Sequence, residues 1–194
     1  YGRSSGITLP RPSDYHVVEA DDILPAVLDA VGIERAVLIG HSDGGTIALM
    51  TAAKDPRIKG AVTMAAHVFN EEITLAGIRE ARQAWETTNL REKLRRYHGD
   101  NVDAAFHGWN DTWQRPDFAD WNVEAGLAGV GCPVLVVQGA EDQYGSAGQV
   151  HAIARGVAGP AQELILPDCG HSPHLEAPEP LFAAVNQFVA DLSL

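Results

Sequence analysis

The chain has 194 residues, 45% hydrophobic and 21% charged, which suits one globular domain large enough to bury a sizeable core. Its formal net charge of −12 argues against nucleic acid as a partner, because most of the surface repels a phosphate backbone. No apolar run approaches the ~18 residues of a membrane helix, so no membrane association is expected. The two cysteines, Cys132 and Cys169, are too few for a disulfide scaffold and read as free thiols in a reducing, cytoplasmic compartment. The opening Tyr1-Gly2-Arg3-Ser4 has no initiator Met and no apolar signal region, so it reads as the interior of a longer gene product.

Taken in chain order, Val17, Ala20, Leu24, Val27 and Val31 recur at three- and four-residue steps, predicting a helix with one buried face between Asp14 and Val31. Gly32 stands where a C-terminal cap is expected, and Pro25 predicts a kink or a late start. Ala36 to Ile39 is a short apolar run closed by Gly40, as in parallel strands covered on both faces. Gly45–Ala53 reads as a helix and Ile58–Ala65 as a strand. Further on, Pro133–Val137 and Glu163–Leu166 read as strands, and Ser146–Arg155 and Pro180–Leu192 as helices. Alternating strands and helices require crossovers, hence an α/β fold with a mostly parallel sheet.

Residues 68–124 break the alternation: they read as three or four helices without a strand. This stretch holds Trp85, Trp109, Trp113 and Trp121 and half of the Lys and Arg residues. An inserted helical subdomain is expected here, with residues 1–67 and 125–194 forming the sheet-bearing core. Its basic residues, interleaved with Glu80, Glu86 and Glu92, read as a solvated helix face.

Gly40-His41-Ser42-Asp43-Gly44 fits G-x-S-x-G between a predicted strand and a predicted helix. In that context a serine sits on a tight, strained turn with its oxygen clear of the sheet. The glycines are expected to remove side chains that would strike the neighbouring backbone. The backbone N–H of Asp43, at the helix start, is placed to donate to an oxyanion. Its carboxylate could also attract a cationic group, although solvation at the helix start is the favoured role.

A serine hydroxyl needs a base, and histidine serves at neutral pH. His171 follows the last predicted strand in a loop, which brings it to the carboxyl ends of the strands, the edge that Ser42 occupies. His174, His41 and His67 compete at that edge. The imidazole in turn needs a carboxylate, and Asp142 or Glu141, directly after the third strand, lands at the same edge. No pair of ligating residues at metal-site spacing shares a predicted helix, so neither a metal nor another cofactor is expected.

These motifs resemble the α/β-hydrolase superfamily over essentially the whole chain. Gly40 to Gly45 resembles its nucleophile elbow, Asp142 in Gly-Ala-Glu-Asp its acid after strand seven, and Gly170-His171 its Gly-His after strand eight. Asp142-Gln143-Tyr144-Gly145, with Cys169-Gly170-His171-Ser172-Pro173-His174, is similar to a bacterial subgroup of α/β-fold hydrolases. The resemblance implies a Ser42–Asp142–His171 triad, a cofactor-free acyl-serine mechanism, and a cap formed by residues 68–124. Enzymes of similar fold that place Asp at the nucleophile position, the dehalogenases and epoxide hydrolases, are disfavoured by Ser42. Under the cap, His41, His67, Trp109 and Trp113 are expected to line a pocket for a small acyl substrate. Tyr1-Gly2-Arg3-Ser4 resembles the Gly-x-Ser turn after strand four. On that reading strands one to four and the second oxyanion donor precede the chain, and the strand at Ala36–Ile39 has an open edge, favouring a homo-oligomer. The alternative function is a catalytically weak scaffold that binds a small ligand.

Overall fold

The structure, a computed structural model, describes Gly2 and residues 4–192. The turn expected at Tyr1-Gly2-Arg3-Ser4 lies partly outside them. The chain divides into two compact units, one holding the sheet (His16–Phe69 with Asn122–Leu194) and one mainly helical (the stretch up to Tyr15 with Asn70–Trp121). Among the described residues no helix is long and apolar enough to cross a membrane.

The first helical stretch is α1 (Tyr15–Val18), a π-helical segment over Glu19–Ile23, and α2 (Leu24–Ala30). Pro25 occupies the first turn of α2, where its missing N–H disrupts the regular ladder and a wider turn accommodates the break. This changes which face is buried. The sequence pattern predicted Val17, Val27 and Val31 inside, yet all three are exposed, whereas His16, Ala20 and Leu28 are buried and Leu24 packs on the core. The wider turn stretches the repeat so that every fourth residue stays in line. Gly32, at φ +69°, then ends the helix: its N–H donates to Asp29 O (3.1 Å) and that of Ile33 to Leu28 O (2.9 Å), satisfying the last carbonyls as a C-terminal cap.

Strands β1 (Ala36–His41), β2 (Ile58–Met64), β3 (Val134–Gly139) and β4 (Ala161–Leu166) form one sheet in sequence order, every pairing parallel. The crossover helices of this unit are α3 (Asp43–Ala52) between β1 and β2, and α7 (Ala147–Gly156) between β3 and β4. The two-residue period of the central strands feeds two cores. Ala61, Val134 and Val136 join Leu49, Val150 and Ile153 of α3 and α7, while Val62, Met64, Leu135 and Val137 join Leu181, Val185 and Phe188 of α9 (Pro178–Asp191). The central strands, covered on both faces, are therefore predominantly apolar, as expected of parallel strands. In the described sheet β1 is an edge strand and leaves Ile39 54% exposed.

The helical unit holds α4 (Glu72–Thr87), α5 (Leu90–His98) and α6 (Val102–Trp113). Its apolar centre is aromatic: Trp113 packs against Phe118 and Trp121, and its indole N–H donates to Tyr15 Oη at 2.9 Å. The basic residues read as a solvated face are paired with acids, for example Arg91 with Asp103 at 2.6 Å. The stretch before His16 groups with these helices, which the hydropathy pattern did not separate from the sheet unit.

Candidate active site

A parallel sheet delivers the carboxyl ends of all its strands to one edge, and here that edge gathers the chemistry. His41, Met64 and Val137 are in register across β1, β2 and β3, so the residues that follow each strand emerge together. Three non-glycine residues with positive φ stand there: Ser42 (+55°), Ala65 (+52°) and Asp168 (+51°). Such conformations cost about 1–3 kcal/mol each and persist only where the surroundings enforce them.

At Ser42 the enforcement is visible. The residue forms the turn between β1 and α3 with φ 55° and ψ −123°, and its N–H donates to Met64 O at 2.8 Å. A side-chain carbon at Gly40 would come within 2.1 Å of Gly44 O, and one at Gly45 within 2.8 Å of Ala66 Cβ. Gly44 differs from expectation, because a carbon there would meet nothing within 4 Å. The crowding falls on the two glycines whose bare faces look inward, and Gly44 contributes its carbonyl. Asp43 is the first residue of α3, and N–H groups in a first turn point out along the helix axis. Its carboxylate is engaged by a residue the sequence did not single out: His16 Nε2, on a side chain 1% exposed, donates to Asp43 Oδ1 at 3.1 Å.

The loops after β3 and β4 meet backbone to backbone. A carbon on Gly139 would fall 2.1 Å from Gly170 O, and Glu141 N–H donates to Cys169 O at 2.8 Å. This contact brings Asp142 under His171, whose Nδ1 lies 2.9 Å from each carboxylate oxygen. Asp142 also accepts from the Tyr144 N–H (2.8 Å) and from Gln138 Nε2 (2.6 Å), so its orientation is fixed from three directions. Glu141, the other carboxylate at this position, is exposed. With Nδ1 donating to Asp142, His171 keeps Nε2 as its basic nitrogen.

The competing histidines surround this pair. The His41 ring lies 4.9 Å from that of His171, tilted by 57°, and 5.0 Å edge-on from that of His174, and its Nε2 donates to His171 O at 2.7 Å. His67 is 3% exposed, lies 6.1 Å from His171 ring to ring, and donates from Nε2 to Tyr144 O at 2.8 Å. Burial holds both His41 and His67 below the ordinary imidazole range. The structure thus brings Ser42, Asp142, His171, His41 and His67 to one edge of the sheet unit. Trp113 is a core residue of the helical unit, 2% exposed. Trp109 lies in that same unit with its ring 6.0 Å from Phe106.

A cavity of about 250 Å³ runs along α3, lined by Thr46, Leu49, Met50, Val68, Val123 and Leu127 among others. It starts one helical turn beyond Ser42. Among the described residues no group of three or more His, Cys, Asp or Glu side chains could hold a metal ion. Cys132 and Cys169 are free thiols, as expected from their positions at opposite ends of neighbouring strands.

Three supports for the site were not read from the sequence. His16 left no local signal. Gln138 did, as the polar residue ending an apolar Val-Leu-Val-Val run. Glu176 did too, following Ser172-Pro173 at a helix start in near-capping-box spacing.

Fold and edge together define an α/β hydrolase, and the chain belongs to the alpha/beta hydrolase family, whose model matches residues 1–185. Among its relatives is the Klebsiella pneumoniae (strain 342) protein named "Putative carbamate hydrolase RutD", 26% identical over 189 residues, which cover 84% of this chain and 69% of that one. Among solved structures, an esterase from Thermogutta terrifontis superposes with a TM-score of 0.69 at 21% identity, covering 98% of this chain and 76% of its own. Est816, described as an N-acyl homoserine lactone degrading enzyme, gives 0.64 at 25% identity, covering 97% and 79%.

Proposed function

We propose that this hydrolase is serine-dependent and cleaves a carboxylic ester or a related acyl bond through an acyl-serine intermediate. In this reading Ser42 is the nucleophile, His171 the general base, and Asp142 the acid that fixes its tautomer. His171 Nε2 takes the Ser42 proton as Oγ attacks the acyl carbon, and the backbone N–H of Asp43 stabilises the oxyanion. Collapse expels the leaving group, which receives the proton from His171. Water then repeats the cycle to release the acid and restore Ser42. The helical insertion, residues 68–124, is assigned the role of the family's cap.

The observation that carries this reading is the double 2.9 Å contact of Asp142 with His171 Nδ1, at the edge where Ser42 holds its strained turn. The relatives point the same way, since a carbamate and an N-acyl lactone both present acyl carbons to such a serine. The cavity along α3 favours an apolar acyl group. The rise from Thr46 to Ala52 along α3 is ~9 Å, a length that suits an acyl chain of medium size. A panel of nitrophenyl esters from acetate to palmitate tests this. Turnover peaking at medium chain length supports it, whereas hydrolysis of acetate alone removes the cavity from the substrate site.

A further inference from the structure

Two peptide groups of the base loop, Cys169–Gly170 and His171–Ser172, are held by side chains from outside it. Gly170 N–H donates to Glu176 Oε2 at 2.8 Å and Ser172 N–H to Glu176 Oε1 at 2.8 Å. Between them, the His171 carbonyl accepts from His41 Nε2 at 2.7 Å. Gly170 is bare for this purpose, because a side-chain carbon there would sit 2.9 Å from Glu176 Oε2. His41 precedes Ser42 in the chain. One hydrogen bond and one peptide unit therefore join the elbow to the base loop, and the spacing between serine and imidazole is set through that link.

We infer that His41 and Glu176 are positioning residues for His171: His41 ties the base to the turn that carries Ser42, and Glu176 holds the N–H groups of Gly170 and Ser172 that flank it in the chain. This assigns His41 a role through the His171 backbone instead of the pocket-wall role expected from sequence, and it rests on the proposed reading of His171 as the base. The chemistry of His41 suits the task. A ring nitrogen facing a carbonyl must donate. Burial lowers the pKa of His41, which disfavours a second positive charge beside the one His171 acquires 4.9 Å away. A lost anchor shifts the imidazole by a fraction of an ångström to an ångström, and misplacements of that size cost up to about 10²-fold in rate.

The test compares the full chain with His41→Leu, His41→Gln and Glu176→Gln. Gln at 41 keeps a donor near the Nε2 position and Leu removes it. Gln at 176 keeps one acceptor of the two. Two readouts are taken on variants shown by circular dichroism to be folded: nitrophenyl ester kinetics, and the downfield proton resonance of His171 Nδ1–H against Asp142. We expect His41→Leu to lower kcat by about 10–100-fold with KM changed less than about threefold, and to broaden the resonance. His41→Gln should recover most of both, and Glu176→Gln should fall between. Wild-type kinetics in His41→Leu, or equal impairment by Leu and Gln, would overturn the inference. If the wild type does not turn over esters, the functional reading fails separately. The resonance then decides the positioning claim alone: sharp in the wild type and His41→Gln but lost in His41→Leu supports it, and no difference overturns it.

Discussion

His16 Nε2 lies 3.1 Å from Asp43 Oδ1, so the residue beside the proposed nucleophile has its carboxylate bound to a buried imidazole of the same unit. The sequence left open a role for that carboxylate in attracting cationic substrates, and the pair indicates instead that it braces the start of α3. Asp43→Ala removes the acceptor of a buried donor, a change that costs about 1–3 kcal/mol. The expected outcome is a lower urea midpoint, with turnover of neutral and cationic esters changed by one common factor. A loss confined to cationic esters would restore the recognition role.

Gly40→Ala places a carbon 2.1 Å from the Gly44 carbonyl, and neither backbone segment can give way without opening the elbow. Loss of more than about 2 kcal/mol is expected, read as a fall in thermal midpoint together with loss of ester turnover. Gly44→Ala, which meets open space, should lose less than about 1 kcal/mol. The contrast separates close packing from general glycine sensitivity.

Gln149, 0% exposed on α7, accepts from Val68 N–H through Oε1 (2.8 Å) and donates from Nε2 to Phe69 O (3.1 Å). Those residues begin the segment that leaves the sheet unit, and Val68 O accepts from Val123 N–H at 2.8 Å where the chain returns. Gln149→Leu strips two buried backbone groups of these partners, so a loss of about 2–4 kcal/mol is expected by chemical denaturation. A loss within about 0.5 kcal/mol would show that the clamp is not needed.

Acid should weaken the fold through its buried histidines. Burial depresses His67 and His41 below the ordinary value of 6.5, so between 6.5 and the lowered folded value the unfolded chain binds more protons. Stability therefore rises with pH through that window and falls as pH drops below about 6.5. Urea midpoints between pH 5 and 8 should show this slope, and His67→Gln, which keeps a donor for Tyr144 O, should flatten it. An unchanged slope in the variant would assign the pH dependence elsewhere.

The sheet was legible because its central strands are buried on both faces and read as apolar runs, and because Ser42, Asp142 and His171 each lie in the turn or loop that follows a strand. The buried face of the first helix was misread because Pro25 sits beside a π-helical segment, which shifts the apolar repeat from mixed three- and four-residue steps to steps of four. His16 was missed for a different reason. Its role depends on a partner 27 residues away, and no local pattern encodes such a pairing. Gln138 and Glu176 lie between these cases: each carries a local anomaly whose meaning depends on where the Asp142 and His171 loops meet.

The central claim is that Ser42 is an activated nucleophile driven by His171 and Asp142. A fluorophosphonate probe reacts with a serine only when a base activates it, so labelling of the full chain followed by peptide mapping tests the claim most directly. The expected result is one adduct, on Ser42, absent in Ser42→Ala and slowed by at least ~10³-fold in His171→Ala and Asp142→Asn. An adduct on another residue, or undiminished labelling in His171→Ala, would contradict it.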